Sequence, residues 1–327
     1  MQAAFYERNG PAAEVLQLGE VPDAMPDAGE VRVRLHWSGV NPSDTKSRTG
    51  RGAGMPFPRV IPHSDGMGVV DAVGDGVSRD RIGQRVWVWN AAWGRPFGTA
   101  AQHVVLPAVQ AVPLPDGVPD EAGACLGIPG LTAVHAVLTG GGVAGKRVLI
   151  AGGAGAVGHA AVQCARLLGA RQVLTTVSSP AKAEAAASAG ADVVIDYKRE
   201  DVIARVREAT QGQGLDRVVE VDVAANGALD AELLRAGGDC VVYGSGAPNF
   251  SLPFFPLISK NLTLRCFIVY HLSPADRQHA TETLLGLLAR KQLDLPIAHR
   301  VPLAEIVRAH ELVEQGRAIG NVVVQIP

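Results

Sequence analysis

The chain has 327 residues, 47% hydrophobic and 19% charged, with 38 glycines and 21 prolines. At roughly 100–200 residues per domain this predicts two domains with ample core, and it excludes a disordered or fibrous chain. Thirty Lys and Arg against 32 Asp and Glu leave a net charge of −2, so no broad basic surface exists to neutralise phosphates and nucleic acid is excluded as the main partner.

Cys125, Cys164, Cys240 and Cys266 stand singly, with no Cys-x-x-Cys pair. That spacing reads as neither a disulfide framework nor a structural zinc lobe. The segment Met1 to Arg8 lacks the basic start and the apolar core, about 7–15 residues long, of a signal peptide. No uncharged apolar run approaches the roughly 18 residues of a membrane span. A cytoplasmic protein with reduced thiols and no membrane partner is expected.

From Val31 to about Val112, short β-like runs (Val31–Leu35, Gly68–Val73, Arg85–Trp89) alternate with Gly- and Pro-rich turns, which predicts an antiparallel, barrel-like domain. A helical passage covers Pro119 to Thr139. Strands then alternate with helices: Arg147–Ala151, a helix from Ala156 to Leu168, Gln172–Val177, a helix from Ala181 to Ala189, Val193–Asp196, and a helix from Asp201 to Thr210. Two further strands are predicted at Arg217–Val221 and Asp239–Tyr243, completing a doubly wound parallel sheet. Helical patterns at Ala275–Arg290 and Leu303–Gln315 precede a closing strand, Asn321–Ile326, that could return to the first domain.

The run Gly152-Gly153-Ala154-Gly155-Ala156-Val157-Gly158 carries Gly-x-Gly-x-x-Gly at Gly153, Gly155 and Gly158, after an apolar strand and at the start of a helix. Glycines there allow a tight turn, backbone approach to a pyrophosphate, and helix–strand contact. The motif alone would also suit an ordinary turn, but the βαβ texture around it predicts dinucleotide binding at the helix N-terminus. An NAD site usually has an acid at the end of the second strand, about 20 residues on. Here that strand ends Val177-Ser178-Ser179-Pro180-Ala181-Lys182. Hydroxyls and an ammonium suit a 2′-phosphate, so NADPH is preferred, although Lys182 alone could be a solvated helix lysine.

With Gly39-Val40-Asn41-Pro42-Ser43-Asp44, His63-Ser64-Asp65-Gly66-Met67-Gly68-Val69-Val70, Gly127-Ile128-Pro129-Gly130-Leu131-Thr132-Ala133 and the glycine turn in one order, the chain resembles the zeta-crystallin-like quinone oxidoreductases of the medium-chain dehydrogenase/reductase superfamily. The resemblance covers essentially the whole chain. It implies an α/β fold: a GroES-like, partly open β-barrel catalytic domain (residues 1–122 and 264–327) around a Rossmann NADPH-binding domain (123–263). It also implies a homodimer joined through the strand region that Leu262 to Tyr270 would occupy.

The resemblance carries the pyrophosphate onto Gly155, Ala156, Val157 and Gly158, Ala156 being a mild departure from a usual glycine. It carries the 2′-phosphate and adenosine contacts onto Lys182 and Tyr197, the nicotinamide surroundings onto Asn41, Thr132, Gly244 and Ser245, and a phosphate contact onto Arg317. Tyr197 alone would read as a packing residue. Asp44 could orient water or the ribose, or simply cap a helix starting near Ser43.

The zinc-dependent branch has Cys, His and Cys where Asn41, Ser64 and Ile128 stand, so no catalytic zinc is expected, and a lone His63 beside the slot does not supply one. The substrate should then be an electrophile already: a quinone, or alternatively a conjugated enone or acrylate-type alkene, taking hydride from NADPH. Some alkene reductases of the superfamily place a tyrosine after Asn-Pro, but this chain reads Thr45-Lys46-Ser47-Arg48-Thr49-Gly50-Arg51-Gly52. Trp93 and Phe97, clustered with Trp87 and Trp89, could wall a planar acceptor, although alternate tryptophans on a strand also divide between core and surface. A non-catalytic NADPH-binding role, structural or RNA-associated, is the alternative of another class, and the balanced charge weighs against RNA.

Overall fold

Alternation of apolar and charged residues builds the longest strand, Glu30–Val40, in which Val31, Val33 and Leu35 are buried and Arg34 is exposed. The computed structural model describes residues 1–51 and 54–327; Gly52, in the loop read after Asn41-Pro42, lies outside the described residues. Along one edge Glu30–Val40 pairs antiparallel with Asp65–Val73, and along the other first with His103–Pro107 and then with Asn321–Gln325. Arg85–Val88 and Ala111–Pro113 extend the sheet on one side, and Ile297–Pro302 joins Asn321–Gln325 in parallel on the other. The last strand of the chain therefore returns to the first sheet, as its pattern predicted. A separate hairpin, Gln2–Phe5 with Gln17–Glu20, packs on the same core through Ala3, Ala4 and Phe5.

A second sheet is wholly parallel. Its strands are Arg147–Ile150, Gln172–Val177, Val193–Asp196, Leu215–Glu220, Leu234–Val242 and Thr263–Cys266, and numbered within the sheet they lie in the order 3-2-1-4-5-6. That is the doubly wound arrangement, with its topological switch between Arg147–Ile150 and Leu215–Glu220. Val148, Leu149, Val173, Leu174, Val218 and Val219 are all buried, as strands covered by helices on both faces require.

The compact units are Met1–Pro129 with Leu295–Pro327, and Gly130–Asp294. The sequence reading put the boundaries at 122/123 and 263/264. The later second boundary has a physical reason: Thr263–Cys266 adds to the parallel sheet, with Leu264 opposite Cys240, and helix Pro274–Ala289 packs on helix Leu131–Leu138 within the same unit. Among the described residues, no helix is long and apolar enough to cross a membrane.

Candidate nucleotide site and buried carboxylate centre

In the parallel-sheet unit, strand Arg147–Ile150 runs into the glycine turn and helix Ala156–Leu167 leaves it. Gly152 sits at φ 71°, the left-handed region. Its N–H donates to Thr176 Oγ1 at 3.2 Å and the Gly153 N–H to the Thr176 carbonyl at 3.2 Å, which ties the turn to the neighbouring strand. A Cβ on Gly153 would lie 2.0 Å from Thr175 Oγ1, and one on Gly158 would lie 2.1 Å from the Gly152 carbonyl oxygen. The turn thus touches the neighbouring strand at Gly153, and the helix touches the turn at Gly158. A Cβ on Gly155 would meet nothing nearer than 3.4 Å, and its φ of −77° suits any residue. The fold does not require glycine at 155, and its bare Cα leaves the backbone there open to a ligand. The helix has no acid in its first turn, so its N-terminal N–H groups and dipole face outward uncompensated. A pyrophosphate fits this cradle.

Next in the sheet, Ser178 and Ser179 follow strand Gln172–Val177. Ser179 caps helix Pro180–Ser188, its Oγ accepting the Lys182 N–H at 3.4 Å. Tyr197 leaves the adjacent strand, with its N–H on the Val177 carbonyl at 3.1 Å and its ring half exposed. Ser178, Ser179, Lys182 and Tyr197 therefore share one corner of the carboxyl edge. The neighbouring acid Asp196 is engaged by the Lys198 N–H at 3.1 Å and by Arg199 at 3.8 Å. Gly244 and Ser245 follow strand Leu234–Val242 on the same edge; a Cβ on Gly244 would strike the Val221 carbonyl at 2.3 Å. Thr132 is buried in helix Leu131–Leu138 of this unit. Arg317 lies exposed in the other unit, between helix Ile306–Glu314 and the last strand.

Sequence reasoning missed a buried acidic pair here. Glu220, at the end of its strand, accepts the Asn226 amide at 3.0 Å and the Asp222 N–H. Burial, reinforced by Glu220, pushes Asp230 up to about 8. The two carboxyl groups are separated by ten residues of unrelated pattern, so no motif announced them.

In the antiparallel unit, Asn41 begins helix Pro42–Arg48, and its N–H donates to Asp44 Oδ2 at 2.8 Å. Asp44 therefore does cap its helix, and burial pushes it up to about 7 against the pull of the Asn41 bonds. The Asn41 side chain also reaches a second carboxyl: its Nδ2 donates to Asp65 Oδ2 at 2.9 Å. The Ile128 N–H donates to the same oxygen at 3.1 Å, while Asp65 Oδ1 is buried with no hydrogen-bond partner among the described residues. Burial and the neighbouring Asp44 charge push Asp65 well above the usual carboxylate range. Asn41 and Ile128, two of the positions compared with zinc ligands, thus present N–H donors to a carboxyl group rather than electron pairs to a cation. The donor set does not fit zinc. Trp93 and Phe97 are 41% and 51% exposed, whereas Trp87 is fully buried in the core.

Two family profiles match: "Alcohol dehydrogenase GroES-like domain" over residues 27–116 and "Zinc-binding dehydrogenase" over residues 156–290. A quinone oxidoreductase from Pseudomonas aeruginosa is 32% identical, covering 98% of this chain and 97% of that protein. Among solved structures, an NAD-dependent alcohol dehydrogenase superposes with a TM-score of 0.92 at 28% identity, each chain being covered in full. The Escherichia coli quinone oxidoreductase complexed with NADPH gives 0.89 at 26% identity, covering 99% of this chain and 100% of that one. On the ordered motifs, the two sheets and a full-length relative, this chain belongs to the zeta-crystallin-like quinone oxidoreductases of the medium-chain dehydrogenase/reductase superfamily.

Proposed function

We propose that this chain is an NADPH-dependent quinone oxidoreductase that works without zinc. The observation that carries the reading is the carboxyl edge of the parallel sheet. A glycine cradle there opens onto a helix N-terminus, and the next strand tip offers Ser178, Ser179 and Lys182 with no acid of its own. The complex of the Escherichia coli relative with NADPH supports it.

When bound, NADPH supplies hydride from its nicotinamide ring to the acceptor. The chain's residues bind and orient. Backbone N–H groups of Gly155, Ala156, Val157 and Gly158 take the pyrophosphate, Gly153 keeping the turn closed, and Lys182 with Ser178, Ser179 and Tyr197 takes the 2′-phosphate and adenosine end. In the parallel-sheet unit Thr132, Gly244 and Ser245 are read as nicotinamide contacts, and Asn41 and Arg317 of the antiparallel unit keep the nicotinamide and phosphate roles that the resemblance gives them. Trp93 and Phe97 offer exposed apolar faces to a planar quinone. Burial pushes Asp44, the carboxyl at the Asn41 backbone, up to about 7, so it can hold a proton for the reduced product.

The enzyme is read as a cytoplasmic homodimer. Edge strand Thr263–Cys266 is exposed throughout and has no partner on its outer side among the described residues. Near it in sequence Phe254, Phe255 and Ile258 are exposed by 73%, 76% and 55%. A bare apolar edge invites pairing with a second copy. Sedimentation should give twice the chain mass; a monomer at micromolar concentration rejects the dimer.

Lys182→Ala tests the cofactor assignment. A lost charge-assisted bond is worth about 1.5–3 kcal/mol, so NADPH should bind about 10- to 100-fold more weakly while NADH is unchanged. Equal losses for both, read by calorimetric titration, would remove Lys182 from the 2′-phosphate.

A further inference from the structure

A continuous run of buried polar side chains crosses the antiparallel unit. Arg48 is fully buried; its Nε lies 3.3 Å from His310 Nδ1, and its terminal nitrogens donate to the Gly10 carbonyl and the Glu314 carboxylate. His310 Nε2 lies 3.0 Å from His63 Nε2. His63 Nδ1 lies 2.8 Å from Ser38 Oγ, which lies 2.7 Å from Thr99 Oγ1. The Thr99 hydroxyl donates to the Asp65 carbonyl.

The direction of every bond follows from the two ends. An arginine only donates, so His310 Nδ1 must be the acceptor. A neutral His310 then carries its proton on Nε2 and donates to His63 Nε2. His63 in turn carries its proton on Nδ1 and donates to Ser38, whose hydroxyl donates to Thr99, whose hydroxyl donates to a carbonyl that only accepts. No bond in the series can be reversed without leaving two donors or two acceptors face to face. A proton cannot pass along such a chain, because passage would reverse every bond and neither end can exchange.

A locked chain holds atoms in place, and its far end is Asp65. There the main chain is fixed by Thr99 and the carboxyl by Asn41 and Ile128. His63 adopts φ 76°, a conformation an L residue keeps only where its surroundings hold it. Both its ring nitrogens and its carbonyl, which accepts the Thr99 N–H at 3.0 Å, are engaged. We infer that His63 and His310 are positioning residues for the reaction: in opposite neutral tautomers they lock a one-way hydrogen-bond chain that fixes Asp65, and Asp65 in turn fixes the Asn41 amide. This role rests on the reading of Asn41 as a nicotinamide neighbour.

Two measurements test it. In the unsubstituted protein with 15N-labelled histidine, near neutral pH, two-bond ring couplings should show His310 protonated on Nε2 only and His63 on Nδ1 only. The reverse tautomer at either residue, or an imidazolium, overturns the chain. Ser38→Ala removes the middle link and should lower kcat about tenfold or more with the NADPH dissociation constant unchanged, since misplaced reacting groups cost rate. Ser38→Thr, which keeps the oxygen, should recover it. An unchanged kcat in Ser38→Ala, or an equal loss in both variants, overturns the positioning role. If the unsubstituted protein turns over no acceptor, the reading of Asn41 falls and the positioning role with it; the tautomers distinguish that outcome from a failure of the chain itself.

Discussion

Arg217→Ala should destabilise the parallel-sheet unit by about 3–5 kcal/mol, the usual cost of leaving a buried charge without its partner. Arg217 is fully buried on strand Leu215–Glu220 and grips Asp239 with two bonds, Nε to Oδ1 at 3.0 Å and Nη2 to Oδ2 at 2.6 Å. The same guanidinium donates to the carbonyls of Ala136, Val137 and Gly140, at 3.4, 3.0 and 3.3 Å, closing the C-terminal end of helix Leu131–Leu138. Alanine strands all of these acceptors at once. Arg265, 3.5 Å from Asp239 and half exposed, remains as a second cation at that carboxylate but has none of the two-bond grip of Arg217. At about 2–4 °C per kcal/mol for a unit of this size, the melting temperature should fall by roughly 6–20 °C. Arg217→Lys keeps the charge without the planar fork and should fall between. A loss below about 1 kcal/mol, the range of exposed ion pairs, would contradict the picture.

Gly158→Ala should weaken NADPH binding about a hundredfold, or about 2.7 kcal/mol. The new methyl carbon would stand 2.1 Å from the Gly152 carbonyl oxygen and 3.0 Å from the Gly153 Cα, so the turn itself must move. Because that turn also ties two strands through Thr176, thermal stability should fall with affinity. Gly155→Ala separates the two effects. Its methyl group meets no protein atom closer than 3.4 Å, so the melting temperature should hold while NADPH affinity drops. A Gly155→Ala protein that binds NADPH as tightly as the original would show that the cradle is not the phosphate site.

Much of the parallel sheet was legible because buried parallel strands are written as apolar runs and the turns between them as glycines. Gln172–Val177 and Val193–Asp196 fall where the pattern predicted them. Thr263–Cys266 did not show in the pattern, and only the resemblance placed a strand region there, at Leu262 to Tyr270: it is an edge strand with every residue exposed, so nothing in Thr-Leu-Arg-Cys alternates against a core. The N-terminal pair Gln2–Phe5 and Gln17–Glu20 was missed for a related reason, since Gln17–Glu20 buries no residue fully. The glycine turn was legible because its constraint is local, each forbidden Cβ meeting atoms of the same turn or of the next strand. The Asp65 centre was not. Its donors come from Asn41 and Ile128, 24 and 63 residues away, and His63 meets His310 across 247 residues. Spacing along the chain carries no trace of such pairs, and a histidine read alone looks like an ordinary polar residue.

The most direct test is to offer the purified protein NADPH and NADH in parallel, each with benzoquinone, phenanthrenequinone and a small enone, without added zinc, and to follow nicotinamide oxidation together with the product formed. The account predicts quinone-dependent oxidation of NADPH well above that of NADH, unaffected by a zinc chelator. Tight NADPH binding with no turnover of any quinone, or turnover that vanishes with the chelator, would contradict it.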